Sequence, residues 1–179
     1  LTAFQQKITT QLPPLARIDH METRFFEANN APSTFNITAS DSQGRVSAAI
    51  TPDAATCPHC LAEINDTHDR HHSYAFTSCT YCGPRLSIVN QVPYDRANTS
   101  MDKFPMCDAC QREYDTPSNR RFHAQTNACP DCGPQLSLED TSGNILLDST
   151  SLTPIITKAA ALLHEGHILA IKGIGGIHL

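Results

Sequence analysis

Tryptophan is absent from this sequence, the other aromatics amount to seven phenylalanines and four tyrosines, and only 17% of the 179 residues are charged. So few large apolar side chains exclude one extensive hydrophobic core, and the twelve prolines assign a large share of the chain to loops. No stretch approaches the ~20 consecutive apolar residues of a membrane-spanning helix. The N-terminus also lacks the basic start and small-residue cleavage site of a secretory signal. These absences predict a cytoplasmic protein with no membrane association. The chain opens on Leu1 with no initiator methionine and stops at Leu179 inside an apolar, glycine-rich run, so it reads as a piece of a longer protein.

What the sequence does have is eight cysteines, in a regular pattern. Cys57 and Cys60 are followed by Cys79 and Cys82, then Cys107 and Cys110 by Cys129 and Cys132, and each recurs after 50 residues. The repeat extends beyond the thiols: Glu63 maps to Glu113, Arg70 to Arg120, Gly83-Pro84 to Gly133-Pro134, and Leu86-Ser87 to Leu136-Ser137. A tandem duplication therefore covers about residues 52 to 140.

Two Cys-x-x-Cys pairs about twenty residues apart suit a tetrahedral ion, since each pair forms a tight turn presenting two sulfurs to one point. Four thiolates close the coordination shell, which makes such a site structural, with no position for substrate. The glycines after Cys82 and Cys132 fit turns that need positive φ or close backbone approach to sulfur. Disulfides are disfavoured without an export signal, and redox-active Cys-x-x-Cys chemistry calls for a βαβ setting that four motifs in register do not resemble. Iron accepts the same four thiolates, and Cys129-Pro-Asp-Cys132-Gly resembles a rubredoxin knuckle.

Eight thiolates and two divalent ions would lower the formal charge of −5 to about −9. Residues 57 to 132 hold seven Lys and Arg against nine Asp and Glu. Nucleic-acid binding, which rests on a basic face, is therefore disfavoured. His59, His68, His71, His72 and His123, within or between the cysteine pairs, and His20 upstream are not needed as ligands and are expected to be solvated loop residues. The run Asn119-Arg120-Arg121-Phe122-His123-Ala124-Gln125 has the composition to hold a phosphate or carboxylate bidentately. The competing expectation, which is favoured, has Phe122 anchoring the loop and both arginines in solvent.

On the N-terminal flank, Phe4, Ile8 and Leu12 predict a short helix ended by Pro13-Pro14. An extended segment follows over Ala16 to Arg24, then a strand over Ser33 to Ala39 and a turn over Ser40 to Gly44. On the C-terminal flank, Ser151-Leu152-Thr153-Pro154 starts a helix running to His164 or Glu165, with Gly166 as its C-cap. A short strand, His167 to Lys172, then enters Gly173-Ile174-Gly175-Gly176. Such glycines let backbone N–H groups approach a phosphate or acyl oxygen, although a glycine turn between strands explains them as well.

The tandem fingers, the linker Pro93-Tyr94-Asp95-Arg96-Ala97-Asn98-Thr99-Ser100-Met101, the loop Asn119 to Gln125 and the run from Ala170 through Lys172-Gly173-Ile174-Gly175-Gly176 to Leu179 together resemble the HypF family of hydrogenase maturation carbamoyltransferases. The resemblance implies an α+β fold: tandem four-cysteine zinc fingers at 52–90 and 102–140, flanked by the C-terminal half of an acylphosphatase-like domain at 1–40 and the truncated start of a YrdC-like α/β domain at 151–179. It also implies that Cys57, Cys60, Cys79 and Cys82 bind one zinc ion, and Cys107, Cys110, Cys129 and Cys132 a second. Lys172 with Gly173, Gly175 and Gly176 would line a nucleotide or carbamoyl site. The family converts carbamoyl phosphate and ATP to carbamoyl-adenylate and passes the carbamoyl group to a C-terminal cysteine of a HypE-like partner, for the cyanide ligand of [NiFe]-hydrogenase. The catalytic arginine of the acylphosphatase-like domain would lie N-terminal to Leu1, and this segment alone is expected to be inactive. A non-enzymatic zinc module for protein interaction is the alternative, and an iron electron-transfer protein a lesser one.

Overall fold

The computed structural model describes residues 2–25, 27, 34, 50–149, 152–173 and 176–179. The chain divides into two compact units, Leu1–Val46 and Ser47–Leu179. In the first, helix α1 spans Thr2–Thr10 and buries none of its residues. It ends short of Leu12. Thr9 and Thr10 turn their hydroxyls back onto the Gln6 carbonyl, and Pro13 disfavours helical backbone at the residue before it. Residues 16–25 form no strand, and the strand expected over Ser33 to Ala39 and the turn after it lie outside the described residues, Thr34 apart.

In the second unit the 50-residue repeat becomes two modules of the same build. Each begins with a cysteine at the N-cap of a two-turn helix: Cys57 before α2 (Pro58–Asn65) and Cys107 before α3 (Asp108–Asp115). Pro58 suits the first helical position, where no N–H is needed. After each helix the loop is built by the same contacts. Asp69 and Asn119 accept from the backbone N–H of the residue two positions on. Ser73 and His123 both take positive φ, 56° and 54°, and donate their N–H groups to the carbonyls of Ile64 and Tyr114.

Three short 3-10 turns follow, Leu86–Ile88 closing the first module and Arg96–Asn98 and Ser100–Lys103 in the linker. It carries a small apolar core. Tyr74 and Ile88 of the first module, Met101 of the linker and Ala128 of the second module are buried together, with Phe76, Tyr94 and Phe104 packed around them. The linker's Arg96 fastens it to the second module by donating to the carbonyls of Gln125 and Asn127, at 2.7 and 2.9 Å. The two modules thus form one packed body.

An antiparallel hairpin of β1 (Leu136–Glu139) and β2 (Ile145–Ser149) follows, pairing Ser137 with Asp148 and Leu138 with Leu147. Sequence reading missed it, although Leu136-x-Leu138, a Thr-Ser-Gly-Asn turn and Ile145-Leu146-Leu147 carry the signal. Asp140 closes the turn by accepting from the N–H groups of Ser142 and Asn144, and Gly143 takes φ 83°. Helix α4 (Leu152–His164) packs on this hairpin and buries Ile155. Gly166, at φ 87°, ends it as expected. The strand expected over His167 to Lys172 is shorter and later: β3 (Ile171–Gly173) pairs with β4 (Gly176–His178) in a glycine hairpin.

Candidate metal centres and the ion network between them

Each helix start places two cysteines on one side, and the second knuckle brings two more against them. In the first quartet the Sγ atoms of Cys57 and Cys79 are 3.7 Å apart, those of Cys60 and Cys82 3.6 Å, and those of Cys79 and Cys82 3.9 Å. In the second, Cys107 and Cys129 are 3.7 Å apart, Cys129 and Cys132 3.7 Å, and Cys110 and Cys132 3.5 Å. A regular tetrahedron with ~2.3 Å metal–sulfur bonds has edges of about 3.8 Å, whereas a disulfide needs ~2.05 Å. All eight thiols are free, and within each quartet the sulfurs lie within 4.8 Å of one another. The donor set therefore fits a tetrahedral divalent ion.

Proton chemistry supports the same fit. Cys60 is pushed far up by its contacts with Cys79 and Cys82, while Cys82 is pulled far down by its contacts with Cys60 and Cys79. Thiols this close cannot all ionise unless positive charge joins them. Cys107 comes down to about 7: burial opposes its ionisation, and the Cys110 N–H and the neighbouring sulfurs outweigh it.

The modules are tied by an ion network that the sequence reading did not assemble. Glu63 and Glu113 follow the second cysteine of their helices by three residues, so each carboxylate stands beside a metal-site sulfur. The guanidinium that meets it comes from the other module. Arg70 donates to Cys110 Sγ at 3.4 and 3.5 Å and pairs with Glu113. Arg120 donates to Cys60 Sγ at 3.3 Å and pairs with Glu63. Arg121, with a side chain only 4% exposed, pairs with Glu63, lies 3.5 Å from Glu113 and donates to the Ser78 carbonyl. Burial works against the charge on Arg70 and Arg120, but their sulfur and carboxylate partners outweigh it and hold both above the ordinary arginine range. Burial likewise opposes ionisation of Glu63, and Arg121 and Arg120 bring it below the usual carboxylate value.

Two expectations are corrected here. Arg120 and Arg121 are not in solvent, and their carboxylate ligand is internal. His71 is not a solvated loop residue: it is 1% exposed, its Nδ1 lies 3.0 Å from Asp69, and its Nε2 has no partner. Burial, then the Arg121 and Arg70 charges, hold its imidazole below the ordinary value. His20, His59, His68, His72 and His123 are exposed, with the His123 ring against Tyr114 and Phe122. The one available signal for the network was that Glu63/Glu113 and Arg70/Arg120 recur with the cysteines although no metal needs them.

The glycines after the second knuckles have separate reasons. Gly83 takes φ 91°. Gly133 does not need positive φ, but a Cβ there would collide with the Tyr74 hydroxyl and come within 2.6 Å of Ala128 Cβ. Lys172 and Gly173 sit on β3 and Gly176 begins β4, all exposed at the hairpin; Gly175 lies outside the described residues. Among the described residues no helix is long and apolar enough to cross a membrane.

Comparison with known proteins agrees with this geometry. The family model described as HypF finger matches twice, at residues 56–89 and 106–139. A carbamoyltransferase HypF from Rhodobacter capsulatus is 50% identical over 176 residues, which is 98% of this chain and 23% of that protein. One from Synechocystis is 42% identical over 98% of this chain and 22% of its own length. Among solved structures, full-length HypF in a phosphate- and nucleotide-bound form superposes with a TM-score of 0.82 at 42% identity, over 99% of this chain and 22% of that one. The chain thus spans under a quarter of the length of these relatives.

Proposed function

The chain belongs to the HypF family, and we propose that it is the double-finger segment of a carbamoyltransferase. In this reading Cys57, Cys60, Cys79 and Cys82 hold one zinc ion, and Cys107, Cys110, Cys129 and Cys132 a second. The ions supply folding energy, on the order of 10–16 kcal/mol for a finger of this kind, and no reaction step. The observation that carries the reading is that all eight thiols are used in two closed quartets, so none is left as a nucleophile and neither site keeps an open position.

The longer protein would make carbamoyl-adenylate from carbamoyl phosphate and ATP and transfer the carbamoyl group to a terminal cysteine of a HypE-like partner. Residues 1–40 would complete an acylphosphatase-like domain, and residues 151–179 would begin a YrdC-like domain. There Lys172, Gly173, Gly175 and Gly176 would face phosphate or acyl oxygens, a placement supported by the exposed glycine hairpin and by the nucleotide-bound relative. The fingers would hold these neighbouring parts in position.

Metal analysis of the purified chain is expected to give two zinc per chain and a colourless sample. Strong visible absorbance would assign iron, and one metal or none would overturn the reading. Chelation is expected to collapse amide dispersion across residues 52 to 140. For the longer protein, pyrophosphate release from ATP should depend on carbamoyl phosphate, and release without it would refute adenylation of that substrate.

A further inference from the structure

The repeat maps Arg70 onto Arg120 and Glu63 onto Glu113, and in the folded chain each pair is exchanged between modules. The exchange is reciprocal. Arg70, in the first module's loop, reaches Cys110 Sγ and Glu113 of the second, and Arg120 reaches Cys60 Sγ and Glu63 of the first. Both sulfurs belong to fully buried cysteines. A divalent ion with four thiolates leaves a net charge of −2, and a buried excess of that size is costly unless cations or N–H donors stand against it. In each quartet a guanidinium donating to a ligand sulfur supplies both, and the glutamate one helical turn on fixes its position.

We propose that Arg70 and Arg120 are outer-sphere partners of the opposite metal site, each stabilising the quartet of the other module. The two sites therefore load and release metal as one cooperative unit. This rests on the reading that the quartets bind zinc. An arginine that served its own loop would support its own module, so the direction of the effect separates the two roles.

The test uses the zinc-loaded chain, a competing chelator and N-ethylmaleimide, with labelled cysteines located by peptide mass spectrometry. In the wild type both quartets should become labelled together. Arg70→Met should weaken zinc retention about 10- to 100-fold, with Cys107, Cys110, Cys129 and Cys132 labelled first. Arg120→Met should release the first quartet first. Arg70→Lys and Arg120→Lys, which keep the charge and lose the two-point contact, should fall between and guard against loss of folding. Native mass spectrometry at one zinc per chain should show empty and two-zinc species in excess of the one-zinc form, and the methionine variants should restore that form. Labelling that begins in the mutated arginine's own module, or unchanged release in both variants, overturns the exchange while leaving zinc binding intact. A statistical spread of zinc in the wild type overturns the cooperativity, and fewer than two zinc in the saturated wild type overturns the underlying reading along with it.

Discussion

Removing the Glu63 carboxylate tests whether the ion network holds the modules together. Glu63→Ala takes away the acceptor shared by Arg120 and Arg121. At an effective dielectric constant near 20, one such pair at 4 Å is worth about 4 kcal/mol. Two features reduce the loss. Arg121 retains Glu113 at 3.5 Å and the Ser78 carbonyl at 3.0 Å, and the Arg120 side chain, 23% exposed, can turn toward water. What stays only partly compensated is the Arg121 charge, with 4% of its side chain exposed. The expected cost is about 3 kcal/mol, the lower end for breaking a buried pair from one side. Denaturant unfolding at a fixed excess of zinc measures it. Glu63→Ala combined with Arg121→Met should recover about half, because the stranded cation is gone. A single-mutant cost under about 1 kcal/mol, or a double mutant that is simply additive, would refute the assignment of the network as a structural tie.

Gly133→Ala should cost about 2 kcal/mol through collision with Tyr74 and Ala128. The same change should cost less in a Tyr74→Phe background; equal costs in denaturant unfolding would remove Tyr74 as the cause. His71 is held below its ordinary 6.5 by burial, Arg121 and Arg70, against Asp69 and Glu113. As pH falls through 6.5 the unfolded chain takes up this proton and the folded chain does not, so stability declines until the folded imidazole also titrates. Relative to His71→Gln, the wild type should lose up to about 1.4 kcal/mol more per pH unit over that window; parallel pH profiles at saturating zinc would contradict the burial. His71→Arg, which brings a fourth guanidinium toward Glu63 and Glu113, should destabilise more than Arg121→His, and the reverse order in thermal unfolding would count against the charge balance described.

The cysteine quartets, the helix α4 and its Gly166 cap were legible because each follows from local spacing. A tetrahedron needs two knuckles, and a helix needs a cap and a period. The β1–β2 hairpin is equally local, with apolar residues on either side of a glycine turn. The burial of His71 and Arg121 and the half-burial of Arg120 are of a different kind. Those residues look polar and loop-borne in sequence, and nothing within either repeat says that its loop is covered by the other. The Glu63–Arg120 pair spans 57 residues of chain, so no periodicity within one module points to it. The scarcity of large apolar side chains limits the core but does not abolish it, since Tyr74, Ile88, Met101 and Ala128 form a small one between the modules, drawn from separate stretches of sequence.

The places where the repeat is broken say more about the assembly than those where it is kept. A strict duplication would put the same residue at 71 and 121, and the same at 74 and 124. Both loops converge on Glu63 and Glu113, whose two carboxylates already meet Arg70 and Arg120 from outside. One further guanidinium can lie between them, as Arg121 does; a second would bury cationic charge without an acceptor. His71, kept neutral, fills the matching position. The apolar side follows the same logic. Tyr74 reaches across to donate to the Pro134 carbonyl, over the space left by Gly133, while its counterpart Ala124 is small and buried. At the equivalent glycine, Gly83, the nearest side chains are Ser78 and Arg85, and no tyrosine hydroxyl lies over it. Divergence at two positions, one ionic and one aromatic, is therefore what lets two copies of one metal module share a single interior.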